Sequence, residues 1–493
     1  MPASGKGAVM PGGNIAVGLS AGAMAQYPSR PLPPLQSMVA DESFEPVFPL
    51  ENGFRIATWG TVSNGRTNLT LSTNITVGDA PARILTAQDV ISSLESRAME
   101  RWDARWALRG VTGIEDYSGG ISGFEALDDR TISIDLKPGV DAGEIQRAFT
   151  SPALRISVQP AFSGGSGTGP FLPDQQITDP RRKTLTCALT HHAGRAYLDE
   201  VRVIAYPSVE ESVLDFGRGN LDALLISSNE MQTYLGSSRS VANRVEKVGD
   251  ALLVLVLNPA RLVTSQERRS LIMASDVESI ANVILGPRAQ AAGDFLGNPA
   301  EPGDWRGRFE QARSMYSSVP ERTTRLSLLV CDDPAARESA GRLGANWESL
   351  GAQVEIVEGT GALAFSSERD AILLALRLPS GGEGVLPQIL ALYDRNAWWE
   401  TAALTLDSDS ASLLRRVRSL DPSADLDALA DAMVTAGLVA PIARYDILFA
   451  PGPDVSLVPD ETYPGTVFWR AFSGTRSELV QWYTTPVGPG GQE

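Results

Sequence analysis

The side chains best equipped for chemistry are few and scattered. His191 and His192 are the chain's two histidines; neighbours on a strand project to opposite faces, and with no cysteine beside them they make no structural zinc set, so no metal is expected. Cys187 and Cys331 are far apart in sequence and read as two inert thiols. Gly-Lys-Gly at 5–7 falls short of a phosphate-loop pattern. Gly-Leu-Ser-Ala-Gly at 18–22 has nucleophile-elbow spacing, yet it precedes any complete strand and helix scaffold and has no persuasive histidine partner. Arg415, Arg416 and Arg418 are flanked by acids and read as a solvated helix face. These residues favour a binding protein over an enzyme and call for no cofactor. One group is rich enough to bind: Tyr393, Asp394, Arg395, Trp398 and Trp399 combine aromatic area with polar anchors, the mixture a buried ligand needs. One of the adjacent tryptophans is expected to face the core, which leaves the other as a candidate to line a cleft.

The elements that must position such groups belong to a folding chain of more than one unit. At 493 residues it exceeds the size at which one core keeps growing, and 43% hydrophobic with 20% charged residues is ordinary globular composition. A net charge of −17 disfavours nucleic acid and anionic lipid as partners. No apolar run approaches the roughly 20 residues needed to cross a bilayer, and no intact secretory leader is legible in residues 1–25.

Thr86 before Ala87, Gln88 and Asp89 is a helix start, with Val90, Ile91 and Leu94 following at helical spacing. In 124–136, Ile132, Ile134 and Leu136 share one face of a hairpin arm after an Asp-Asp-Arg turn. Strand, helix and strand at 201–205, 209–217 and 219–226 form the unit of a parallel sheet. A crossing strand at 252–258 precedes one long helix at 267–285. A second unit runs from a strand at 325–331, through a helix at 335–350 capped by Asp-Asp-Pro, to a strand at 353–357. A strand at 371–376, helices at 384–393, 409–419 and 425–436, and strands near 440–449 and 466–470 complete the expectation.

Several of these segments, in order, resemble the bacterial solute-binding proteins of oligopeptide, dipeptide and nickel ABC importers, family 5. The strings are Leu-Thr-Ala-Gln-Asp-Val at 85–90, the hairpin region 113–136, Gly-Thr-Gly-Pro-Phe at 167–171, Arg-Ala-Tyr-Leu-Asp-Glu-Val at 195–201, Gly-Arg-Gly-Asn-Leu-Asp-Ala at 217–223 and Leu-Asn-Pro-Ala at 257–260 with the helix after it. Each is weak alone; six in order over about residues 12–360 agree in pattern and spacing. The resemblance implies an α/β, two-lobed periplasmic-binding-protein type II fold with an accessory domain and a two-segment hinge. Residues 1–43, 165–250 and 451–493 would form lobe I, 44–164 an accessory domain inserted in it, and 251–450 lobe II.

It further implies a monomeric extracytoplasmic protein, periplasmic or membrane-anchored but not membrane-spanning. That protein closes on a peptide or other small solute and hands it to the membrane subunits of an ABC importer. Cleft residues are expected at Phe44, Trp59, Thr168, Phe171, Arg377, Asp394, Trp398 and Trp399. One departure bears on the ligand. Peptide-binding members carry an acidic residue just after the strand equivalent to 371–377, whereas Arg-Leu-Pro-Ser-Gly-Gly-Glu stands at 377–383 here. Unless Glu383 or Asp394 substitutes, a free peptide amine lacks its partner, and Arg377 points instead to an anionic group or to a lobe-surface salt bridge. The alternative from another class is a scaffold or interaction subunit that keeps the fold and binds no small ligand.

Overall fold

The computed structural model describes residues 14–20, 56–77, 83–158, 166–169, 171–173, 181–188, 199–301, 303–331, 333–358, 367–378, 384–453, 455–456 and 483–484. The strands used below are β1 (Asn14–Leu19), β2 (Ala57–Trp59), β3 (Arg66–Leu71), β4 (Phe124–Ala126), β5 (Thr131–Asp135), β6 (Phe171–Pro173), β7 (Arg182–Cys187), β8 (Glu200–Ala205), β9 (Ala223–Ser227), β10 (Glu246–Leu257), β11 (Gln290–Ala291), β12 (Arg325–Val330), β13 (Gln353–Glu358), β14 (Ala371–Arg377) and β15 (Val439–Pro451). The helices are α1 (Ala87–Glu100), α2 (Trp102–Ala107), α3 (Val209–Gly217), α4 (Ser265–Ala274), α5 (Pro334–Ser349), α6 (Leu386–Arg395) and α7 (Trp399–Ala403).

Two long strands hold the molecule together. β10 and β15 lie antiparallel, from Glu246 opposite Phe449 to Val256 opposite Val439. At one end β15 pairs with β9, and the sheet runs outward as β9, β1, β8, β7 and β6. At the other end β10 pairs with β14, and the sheet continues through β12 to β13. The result is an α/β fold of two lobes joined by a pair of crossing strands, with β11 added along β15. Within each lobe the central strands are parallel: β1 with β8 and β9, and β12 with β13 and β14. Parallel strands are covered on both faces, which is why β14 is buried at every position and β9 likewise.

A separate four-stranded sheet, ordered β2-β3-β5-β4, packs with α1, and α1 packs with α2. Thr86 caps α1 through the Asp89 amide while the Asp89 carboxylate accepts the Thr86 amide, the reciprocal arrangement that fixes a helix start. The single helix expected over 267–285 is instead broken. α4 ends at Ala274 because Ser275 is extended, and Asp276 begins a new turn by capping the Ser279 amide, followed by a π-turn at Ile280–Ile284. Asp276 is also held by Arg342 of α5 at 2.8 Å, a tertiary contact that outweighs local helix propensity. The strand expected near 466–470 lies outside the described residues.

Candidate functional site

Strand direction locates the place where the lobes meet. β9 runs antiparallel to β15 and ends with Ser227 opposite Ile447. β14 runs in the same sense as β15 and ends with Arg377 opposite Ala251, which in turn faces Tyr445. The carboxyl ends of the parallel strands of both lobes therefore point at one another and arrive within two residues along β15. Ligands of open α/β sheets bind outside the carboxyl ends of the strands, so this junction is the candidate cleft.

The residues just past those ends are polar and buried. From the first lobe come Ser20 after β1, then Ser227, Ser228 and Glu230 after β9; from the second comes Asp333 after β12. Oε2 of Glu230 accepts from the Ser20 hydroxyl at 2.5 Å, the Ser227 amide at 2.8 Å and the Ser227 hydroxyl at 2.8 Å. Among the described residues its Oε1 has no hydrogen-bond partner, nor has the Ser228 hydroxyl. Asp333 caps α5, where Oδ1 accepts the Ala336 amide at 2.8 Å, and Oδ2 accepts the Tyr445 hydroxyl at 3.3 Å. Burial pushes the Asp333 carboxyl up to about 7, with the charge of Glu230 adding to the rise against the Ala336 and Tyr445 hydrogen bonds. Burial likewise raises Glu230, with Glu210 of α3 contributing. Tyr445 is raised too, first by burial and then by the charge of Asp333.

The hinge strands carry their own ionic clasp beside this junction. Arg444 donates to both oxygens of Asp250 at 2.9 and 2.7 Å, and Lys247 bridges Asp250 at 2.6 Å and Asp446 at 2.8 Å. Burial alone would raise Asp250, but the Arg444 and Lys247 partners hold it below the usual carboxylate range.

Of the residues singled out from sequence, Arg377 stands at the junction, buried at the end of β14 and in the same sheet row as Tyr445. Asp394, Trp398 and Trp399 stand elsewhere, where α2 packs against α6 and α7. A turn at Ala397, φ +54°, brings both tryptophans inward. Trp398 meets Tyr393 edge to face at 5.6 Å, and Trp399 lies 5.7 Å from Trp102. Asp394 accepts from Arg105 at 2.6 Å and from Nε1 of Trp399 at 3.3 Å. Trp59 is half-buried at the end of β2 against Phe149 at 5.6 Å. Thr168 is buried and its hydroxyl has no hydrogen-bond partner. Phe171 is buried on β6 opposite Cys187, near the amino-terminal ends of β8 and β1 rather than their carboxyl ends. Phe44, like His191 and His192, lies outside the described residues. The two cysteines are buried and form no disulfide with each other. Among the described residues no group of three or more metal-ligating side chains comes together.

Glu230, Asp333 and Tyr445 escaped the sequence reading, although each lies on or just beyond a strand that it placed. Counting one to three residues past the end of each parallel strand would have found the two carboxylates.

No sequence-family model and no curated relative matches the chain. Solved structures do. DppA of Helicobacter pylori in complex with peptide STSA matches with TM-score 0.72 at 16% identity, covering 96% of this chain and 98% of that one. The murein tripeptide binding protein MppA of Escherichia coli matches with TM-score 0.71 at 14% identity, covering 96% and 98%. The unliganded open form of MppA gives 0.53 at 15% identity, covering 96% and 97%. These neighbours are binding proteins rather than enzymes, and among the described residues no helix is long and apolar enough to cross a membrane. Two lobes, crossing strands and a four-stranded side sheet thus give this chain the type II periplasmic-binding-protein fold that these solved structures share.

Proposed function

We propose that this chain is an extracytoplasmic solute-binding protein that closes two lobes over a peptide or other small solute and delivers it to the membrane subunits of an ABC importer. The observation that carries the reading is the convergence of strand carboxyl ends from both lobes on one short stretch of β15, with buried polar groups that the protein leaves unpartnered. A catalyst needs a nucleophile or acid–base set against a substrate position; a carrier needs polar groups that a guest completes.

In this reading the lobes divide as the sequence suggested: 1–43, 165–250 and 451–493 in one, 251–450 in the other, and 44–164 as an accessory domain. The hinge works where Gly249 to Ala251 faces Tyr445 to Ile447, beside the register shift between Lys247 and Gly249. Function is a population shift: a solute that touches both lobes favours the closed form by its differential affinity. The lower similarity to the open form of MppA supports a closed arrangement here. Arg377 would receive an anionic group of the solute. The protein would act as a monomer, periplasmic or anchored at the outer face of a membrane.

A second reading, a scaffold without a small ligand, is favoured by one observation: Asp394, Trp398 and Trp399 already have partners within the protein. Thermal unfolding against peptides, amino acids, sugars, polyamines and metal chelates separates the two. A solute at about 100 times its dissociation constant stabilises the carrier by roughly 2.7 kcal/mol. Absence of any shift, with no co-purified molecule in native mass spectrometry, selects the scaffold.

A further inference from the structure

We infer that the solute presents an organic cation, an ammonium or guanidinium group, to Glu230 of one lobe and Asp333 of the other. This deepens the solute-binding reading and rests on it.

Glu230 is 4% exposed and Asp333 0%, and the charge of Glu230 acts on Asp333 across the junction. Neither has an ion pair among the described residues. Two buried carboxylates without a cation are costly to keep ionised, so each must gain a proton or a positive partner. At Glu230 burial favours the proton and the hydrogen bonds oppose it. Three donors converge on Oε2 and favour the ionised form there. The other oxygen, Oε1, has no hydrogen-bond partner among the described residues. The Ser228 hydroxyl, on the same turn and 5% exposed, is also without a partner. An incoming N–H donor completes Oε1 and neutralises the charge in one contact.

The field outside the pair has the same sign from both sides. Glu210, in the first turn of α3, raises both Glu230 and Glu338 of α5. Of the nearby cations, Arg337 pairs with Glu358 at 2.7 Å. A bare metal ion is a poorer guest, because the described residues offer no set of three ligating side chains. A nitrogen cation with several N–H donors fits two carboxylates and a hydroxyl.

The test is calorimetric titration of the whole chain at pH 8 with putrescine, agmatine and L-lysine, beside butane-1,4-diol and succinate as neutral and anionic matches. Variants Glu230→Gln and Asp333→Asn keep size and an acceptor oxygen, and circular dichroism checks that each folds. The expected result is binding by at least one amine, weakened tenfold or more in each variant, with ligand-free variants melting at or above wild type. Equal amine affinity in wild type and both variants overturns the inference. So does binding of succinate or the diol with no amine bound, which leaves the solute-binding reading standing. Silence to every probe and to the wider solute library overturns both.

Discussion

Two regions of this molecule each hold carboxylates against tightly packed neighbours and differ in how those carboxylates are satisfied. Where α2 meets α6 and α7, Trp102, Tyr393, Trp398 and Trp399 pack around Arg105 and Asp394, and the charges find each other. Where the strand ends of the two lobes meet, Ser20, Ser227 and Tyr445 donate to the carboxylates of Glu230 and Asp333, and neither carboxylate has an ion pair among the described residues. Aromatic density with paired charge is what a packed contact needs. Buried charge with an unpartnered acceptor is what a contact with something else needs. Satisfaction, more than residue type, separates a place that holds the protein together from a place that holds a guest.

The comparison breaks most visibly with pH. Asp333 sits at about 7 in the folded chain through burial and the neighbouring Glu230, with the Ala336 amide and Tyr445 hydroxyl opposing. In the unfolded chain an aspartate titrates near 3.9. Between those values the folded state holds a proton that the unfolded state has lost, so this group's contribution makes stability fall as pH rises from about 4 to about 7, and stay low above it. The size is roughly 4 kcal/mol at about 1.4 kcal/mol per pKa unit. Asparagine remains a good helix cap. Urea unfolding at pH 4.5 and pH 8 should therefore show Asp333→Asn gaining on wild type by several kcal/mol at the higher pH. A constant difference at both pH values would mean that Asp333 is satisfied after all and that the two regions do not differ as described.

The packed region should answer to volume instead. Trp399 is 3% exposed, lies 5.7 Å from Trp102 and 6.1 Å from Tyr393, and donates to Asp394. Trp399→Ala should lose about 3 kcal/mol in denaturant unfolding, the lower end for a buried tryptophan because it sits where two segments meet. Any solute found for the wild type should still bind once the variant is folded, with its amine contacts intact. Loss of binding out of proportion to stability would return Trp399 to the cleft.

The elements were legible where local signals and packing agree. Thr86 with Asp89 announced α1, the alternation at Ile132 and Ile134 announced β5, and Asp333 before Pro334 announced α5. The break at Ser275 was not, since Leu271, Val277 and Ile280 keep helical spacing across it and the contact that favours the break comes from Arg342, more than sixty residues away. The site was less legible than the fold. Sequence shows which residues are aromatic or charged, and so it drew attention to Trp398, Trp399 and Asp394. It does not show that Arg105 reaches Asp394, nor that Glu230 and Asp333, a hundred residues apart, both lie buried just past strand ends at one junction. Those facts belong to strand order, which places the ends of β9 and β12 on either side of β15.

The smallest effect is expected at the Arg105–Asp394 pair, and it sharpens the comparison most. Arg105 is largely buried, donates to Asp394 at 2.6 Å and to the Tyr117 hydroxyl at 2.7 Å, and lies over the Tyr117 ring at 4.5 Å. The Asp394 side chain is 36% exposed, so water already screens the pair. In Asp394→Asn the arginine keeps Tyr117 and an amide oxygen, and the loss should be about 1 kcal/mol in urea unfolding at low salt, shrinking further at 0.5 M ionic strength by roughly half or more. The same substitution logic applied to Asp333 gives the opposite sign at pH 8, because removing a charge that has a partner costs stability while removing one that has none returns it. Should Asp394→Asn stabilise the protein as Asp333→Asn does, Arg105 would not be compensating that carboxylate. Both regions would then count as sites awaiting a ligand.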